Sequence, residues 1–258
     1  MATFLIGGGW SPGARPLVYG PFLAAAGPDP TVACVVFDEG EGSAQFDRWA
    51  QTLTATAPCT PRPVLVGEGE VLDVRAFADA TAVLVCGGHT PSYAAALAPA
   101  ASALASWLAD GPRHYAGFSA GAAVASRRAL VGGWRIDGVP VCPEDASEDL
   151  DEVAVVAGVG LVPFTVDVHA AQWGTLPRLA AAVGTGRAGS GCAIDEDTML
   201  VVESGTARVA GLGRVHAVSV VGDALQVRTR RPGDAIDAQL IVTTTATDCE
   251  PLYPPAPE

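Results

Sequence analysis

The sequence predicts a mixed α/β fold: a doubly wound, mostly parallel sheet flanked by helices on both faces, followed by a β-rich C-terminal segment. Three observations lead to it. Along the first half, short apolar runs alternate with amphipathic or alanine-rich stretches, the βαβα order of a parallel sheet. The runs are almost wholly apolar, as strands covered on both faces must be. The chain has 258 residues and 49% hydrophobic content, enough for one sizeable core.

Taken in order, the apolar runs place strands at 3–6, 32–37, 64–66, 82–86 and 115–118. Helices are expected between them at 16–26, 43–53, 73–79 and 92–109, the last broken near Pro99. A short alanine-rich helix at 122–126 follows the fifth strand. Residues 135–152 change character, with Gly, Pro and the acidic run Glu144 to Glu152; such a run is either a solvated loop or a lid or cation-selecting rim. Further strands are expected at 153–156, 164–168, 193–194 and 199–203. A helix at 175–183 carries Pro177 in its first turn, where a missing N–H costs nothing. Segments 209–220, 224–231 and 240–243 close the chain with β structure. No repeat or linker divides it, so residues 1–250 read as one domain and 251–258, with four prolines, as a tail.

Composition narrows the function. The net charge is −13 and every basic residue is an arginine, which disfavours nucleic acid and anionic membranes as partners. No apolar run is long enough to span a bilayer, and the N-terminus lacks the basic and apolar regions of a signal peptide, so a cytoplasmic protein is expected. Six cysteines at 34, 59, 86, 142, 192 and 249 form no C-x-x-C pair and read as free thiols, three of them in strands. The four histidines stand apart with no ligand spacing, so no metal and no cofactor is expected.

The chemistry concentrates at Gly117-Phe118-Ser119-Ala120-Gly121. A strand-ending run precedes it and a helix-forming run follows, the context of a nucleophile elbow. In such a turn the serine hydroxyl is exposed beside helix N-terminal amides that suit a developing oxyanion. A serine capping an ordinary helix is the plainer alternative. A nucleophilic serine needs a base, and the base an orienting acid. His114 begins the strand leading to Ser119 and belongs at the far end of the sheet. His216 sits inside a late strand. His89 and His169 each follow a strand, where open α/β sheets place their sites. Among the acids, Glu196 is the first candidate and Asp195 the second, with Asp137 and Asp167 outside choices. Gly87-Gly88 makes a tight turn whose amide can join that of Ala120 in an oxyanion hole. Gly7-Gly8-Gly9 does not fit a dinucleotide fingerprint, because position 12 is proline; it reads as a close turn beside the site.

In register along the chain, these pieces resemble the serine peptidase family of cyanophycinase and dipeptidase E, peptidase family S51. They are Gly7-Gly8-Gly9, Gly87-Gly88-His89, Ser119-Ala120-Gly121-Ala122, Asp167-Val168-His169 through Gly174, Leu176, Arg178 and Leu179, and Ile194-Asp195-Glu196 with Thr198 and Leu200. The resemblance fades after about residue 205. It implies a class I glutamine-amidotransferase-like fold and a metal-independent hydrolase of peptide or isopeptide bonds. Ser119 would be the nucleophile, His169 the base, Glu196 the orienting acid, and Gly88 and Ala120 the oxyanion donors. His89, Gln172 and Trp173 would contact the substrate, and a homodimer is expected. The chain departs from the family where His89 replaces an Asn or Asp, and where Trp173 and Thr175 replace arginines that could hold a substrate carboxylate. Those departures argue against cyanophycin as substrate. Two other readings compete: an α/β-hydrolase-type esterase using Ser119, Asp195 or Glu196, and His216, or a non-catalytic ligand-binding member of the fold.

Overall fold

The computed structural model describes residues 1–237; the strand expected at 240–243, Cys249 and the proline-rich tail lie outside the described residues. In chain order the elements are β1 (Ala2–Ile6), α1 (Arg15–Val18), α2 (Gly20–Ala25), β2 (Thr31–Asp38), α3 (Gly42–Thr54), β3 (Thr60–Gly67), β4 (Ala82–Val85), α4 (Thr90–Leu97), α5 (Ala101–Ala109), β5 (His114–Phe118) and α6 (Ala120–Val124). Then come β6 (Arg128–Gly132), β7 (Arg135–Ile136), β8 (Val139–Pro140), β9 (Ala154–Ala157), β10 (Thr165–Val168), α7 (Leu176–Gly184), β11 (Ser190–Ile194), β12 (Thr198–Glu203), β13 (Thr206–Gly211), β14 (Val215–Val221), β15 (Ala224–Arg230) and β16 (Ala235–Asp237).

Among the described residues the central sheet has eight strands in the order β16-β13-β12-β1-β5-β4-β2-β3. The five from β1 to β3 are parallel, whereas β12, β13 and β16 pair antiparallel. Side chains leave successive strand positions on opposite faces, so each apolar strand feeds two cores. Phe4, Ile6, Cys34, Val36, Leu84 and Phe118 pack under α1, α2 and α3 on one face. Leu5, Val35, Val83, Val85 and Tyr115 pack on the other under α4, α5 and α6. That two-sided burial is why the runs show no polar alternation.

A second sheet, β10-β11-β14-β15, lies against the α6 side. Val166, Val168, Cys192, Ile194 and Val215 enter the same core as Leu5 and Val85. Its other face packs on α7 through Ala193, Val218, Leu179 and Val183. The sequence does not distinguish this sheet from the first, since its inner strands β10 and β11 are short buried runs like those of the central sheet.

Three expectations change. The helix expected at 73–79 is a 3-10 turn, Val74–Phe77, started by Asp73 accepting from the Arg75 amide and ended by Ala78 at φ 43°. The helix expected at 16–26 is two short helices, because Pro21 lacks the N–H needed to continue α1 into α2. The segment expected as strand over 209–220 splits into β13 and β14, in different sheets. Residues 212–214 are caught by the loop after β11: the Leu212 amide donates to Asp197 O and the Gly213 amide to Thr198 Oγ1. Of the cysteines, the five described are free. Burial pushes the thiols of Cys34 and Cys192 up to about 12 and that of Cys86 well above its ordinary value, so they are inert packing groups.

Candidate active site

The carboxyl ends of β1, β4 and β5 in the central sheet meet those of β10 and β11 in the second. Three successive carbonyls at the end of β1 join them. Ile6 O accepts from the Ser119 amide at 2.9 Å, Gly7 O from the His169 amide at 3.0 Å, and Gly8 O from the Asp197 amide at 2.8 Å. One short segment therefore clamps the elbow, the turn after β10 and the loop after β11. Gly8 has φ 109°, and a Cβ there would run into Cε1 and Nδ1 of His169. Only glycine lets the backbone lie this close to the imidazole.

Ser119 has φ 51° and ψ −111°, an uncommon conformation for a residue with a side chain. The elbow needs its flanking glycines: a Cβ on Gly117 would meet Gly121 O, and one on Gly121 would meet Val85 O. His169 also has a positive φ, 56°.

The side chains converge in series. Ser119 Oγ lies 2.8 Å from His169 Nε2, and His169 Nδ1 lies 2.7 Å from Glu196 Oε1. A carboxylate only accepts, so Nδ1 carries the hydrogen and Nε2 is left to accept from the Ser119 hydroxyl. Burial pushes the His169 imidazole below its ordinary value, against the pull of Glu196, which favours the protonated form. A neutral base at neutral pH results. Trp173 stacks face to face on the imidazole, with centroids 3.9 Å apart and planes 8° apart. Gly88 lines the cleft and Ala120 follows the serine at the start of α6, and the amides of both form no hydrogen bond among the described residues.

The other candidates have different surroundings. His114 accepts from the Ala2 amide at the opposite strand ends, away from Ser119. His216 Nε2 faces Asp195 Oδ1 at 3.5 Å and its Nδ1 faces Thr229 Oγ1 at 3.0 Å, so neither ring nitrogen is directed to Ser119, which bonds to His169. Asp195 also accepts from the amides of Ala171 and Arg214. Burial alone would push its carboxyl up; the bonds to His216 and these amides bring it below its ordinary value. Asp137 pairs with Arg187 at the surface. Asp167 makes a buried two-pronged ion pair with Arg178, at 2.7 and 3.0 Å. Gln172, expected to touch substrate, accepts from the Glu196 amide at 2.9 Å through Oε1 and so sets the acid's position, and Trp173, also expected to touch substrate, lines the cleft. Thr175 is buried with its hydroxyl on Val168 O, out of reach of any ligand. His89 does line the cleft, its ring held between Ser92 Oγ at 2.7 Å and Glu148 O at 3.2 Å.

The cleft around Ser119 holds about 830 Å³. One wall is the segment Glu144–Asp149. It is fixed in place: Glu148 accepts from both the amide and hydroxyl of Thr90 at the start of α4, and Arg178 donates to the carbonyls of Gly133 and Ala146. The acidic run is thus a built wall of the cleft. The opposite wall was not recognised in the sequence: Trp10, Gln45, Arg48, Trp49 and Phe118. Its signal was the Gln45, Arg48, Trp49 spacing on a helix that follows a strand's carboxyl end.

Fold and site together define a class: an α/β protein in which an elbow serine, a histidine and a glutamate are hydrogen-bonded in series between two sheets. Among solved structures, a peptidase from an acI-B1 actinobacterium shares the fold, with TM-score 0.66 over 92% of this chain and 96% of its own, at 19% identity. No protein-family model matches the chain, and no curated protein matches it.

Proposed function

We propose that this chain is a serine-type peptidase or amidohydrolase of the cyanophycinase and dipeptidase E kind, on a class I glutamine-amidotransferase-like fold, cleaving a peptide or isopeptide bond through an acyl-enzyme on Ser119. The observation that carries this reading is the unbroken series Ser119 Oγ, His169 Nε2, His169 Nδ1, Glu196 Oε1 at 2.8 and 2.7 Å, opening on an 830 Å³ cleft. The peptidase that shares the fold supports it.

In this scheme Ser119 attacks the scissile carbonyl as His169 takes its proton. Glu196 holds the imidazole in the required tautomer and stabilises the imidazolium. The amides of Gly88 and Ala120 receive the oxyanion. His169 then hands its proton to the leaving amine, and water, activated by the same imidazole, releases the acid. The esterase alternative has less support, because Ser119 Oγ lies on His169 Nε2, whereas His216, between Asp195 and Thr229 Oγ1, makes no bond to the serine.

The test is mass-spectrometric product analysis of a mixed dipeptide and isopeptide library with wild type and Ser119→Ala in parallel. Cleavage that disappears in the variant supports the reading; equal product from both proteins would overturn it.

A further inference from the structure

We propose that Arg48, stacked on Trp10, is a carboxylate subsite of the cleft, so that the peptide this protein takes carries a free carboxylate on the α3 side of the scissile bond. The peptide is taken from the hydrolytic reading above; the binding of the anion does not depend on it.

Arg48 and Gln45 lie three residues apart on α3, one exposed face of which borders the cleft. The Arg48 guanidinium carbon sits 3.5 Å from the centroid of the Trp10 ring. Stacking occupies the flat face of a guanidinium and leaves its in-plane N–H donors pointing outward, the arrangement that grips a carboxylate with two parallel bonds. Those donors are uncommitted: the side chain makes no ion pair or hydrogen bond among the described residues. Its helical neighbours three and four positions away, Ala44, Gln45, Gln51 and Thr52, include no acid.

The charge pattern around it points the same way. Arg48 is the one arginine lining the cleft among the described residues; the other charged lining groups are Glu144, Asp145, Glu148 and Asp149 on the far wall, with two histidines. An anionic group entering this space is repelled from one wall and attracted at one point on the other. The platform is also tied to the catalytic series. Ser11, next to Trp10, donates its amide and hydroxyl to Asp197, the residue after Glu196. The carboxylate anchor and the orienting acid therefore share a support.

The experiment measures equilibrium binding to Ser119→Ala protein, followed by tryptophan fluorescence, with three probes: Ala-Ala-Ala as the free acid, Ala-Ala-Ala amide, and Ala-Ala-Asp amide. A charge-assisted two-pronged contact should make a carboxylate-bearing probe bind about 10- to 100-fold tighter than the neutral amide. Preference for the free acid alone assigns a chain terminus, and preference for the Asp amide alone assigns an acidic side chain. The preference should vanish in Ser119→Ala/Arg48→Gln and survive in part in Ser119→Ala/Arg48→Lys. Equal binding of all three probes, no binding of any, or a preference that persists in Arg48→Gln would overturn the subsite. The library digest reports separately on hydrolysis, so failure of either leaves the other standing.

Discussion

The nucleophile half and the base half of the site are built by different physics. Ser119 stands on the central sheet, in an elbow held by backbone shape. Gly117 and Gly121 have no room for a Cβ, and the serine sits at φ 51°. His169 and Glu196 stand on the second sheet, in loops held by polar side chains. Asp195 gathers two amides and His216, Gln172 fixes the Glu196 amide, and Asp167 locks Arg178. A steric support tolerates no added atom, whereas a polar support tolerates no removed partner. Apart from Gly8, whose missing Cβ makes room for the imidazole, the two halves should therefore fail under opposite kinds of substitution.

The largest expected effect is on rate. Ser119→Ala should lower kcat roughly 10^4- to 10^6-fold with little change in the unfolding midpoint, measured by turnover and thermal melts on one preparation. Next is Asp167→Asn, which strands the buried Arg178 guanidinium and should cost about 3–5 kcal/mol in denaturant unfolding. A loss under about 1 kcal/mol would show that the second sheet does not depend on this pair. Gly121→Ala, in the steric half, should cost about 1–3 kcal/mol through the clash of its Cβ with Val85 O; a neutral result would break the contrast.

Smaller effects sharpen the comparison within the base half. Activity should rise with pH as His169 loses its proton, along a limb below the ordinary imidazole value of 6.5, because burial lowers it. Glu196 favours the imidazolium, so Glu196→Gln should move that limb further to the acid side while reducing the plateau. A limb moved to the alkaline side would mean that Glu196 is not the partner that tunes the base. Smallest is Trp173→Ala, which removes the stacked indole and should lower kcat by no more than about tenfold. A larger loss would make the indole a main support of the imidazole.

Much of the site was legible because local patterns imply their own geometry. The glycines around Ser119 announce a turn too tight for side chains, and histidine or acid residues just after apolar runs announce strand ends. Asp195-Glu196-Asp197 shows the limit. Glu196 is ranked first among three adjacent acids of like chemistry, but their separate partners are not legible: Asp195 pairs with His216, Glu196 with His169, and Asp197 with Ser11. The division depends on partners 21, 27 and 186 residues away, which no local pattern contains. The additional partners of Gln172 and Trp173, Glu196 and His169, are not legible for the same reason: they are set by how the loops after β10 and β11 meet.

By itself the sequence determined the α/β class, the two-sided burial of the first five strands and the elbow, because apolar periodicity and glycine sterics act within a few residues. Only the tertiary structure decided that β10, β11, β14 and β15 form a separate sheet, that the acidic run is a wall of the cleft, and that Arg48 faces it. Those outcomes follow from which buried faces meet and which polar groups find partners across the chain, and long-range pairing of that kind leaves no mark on any one segment.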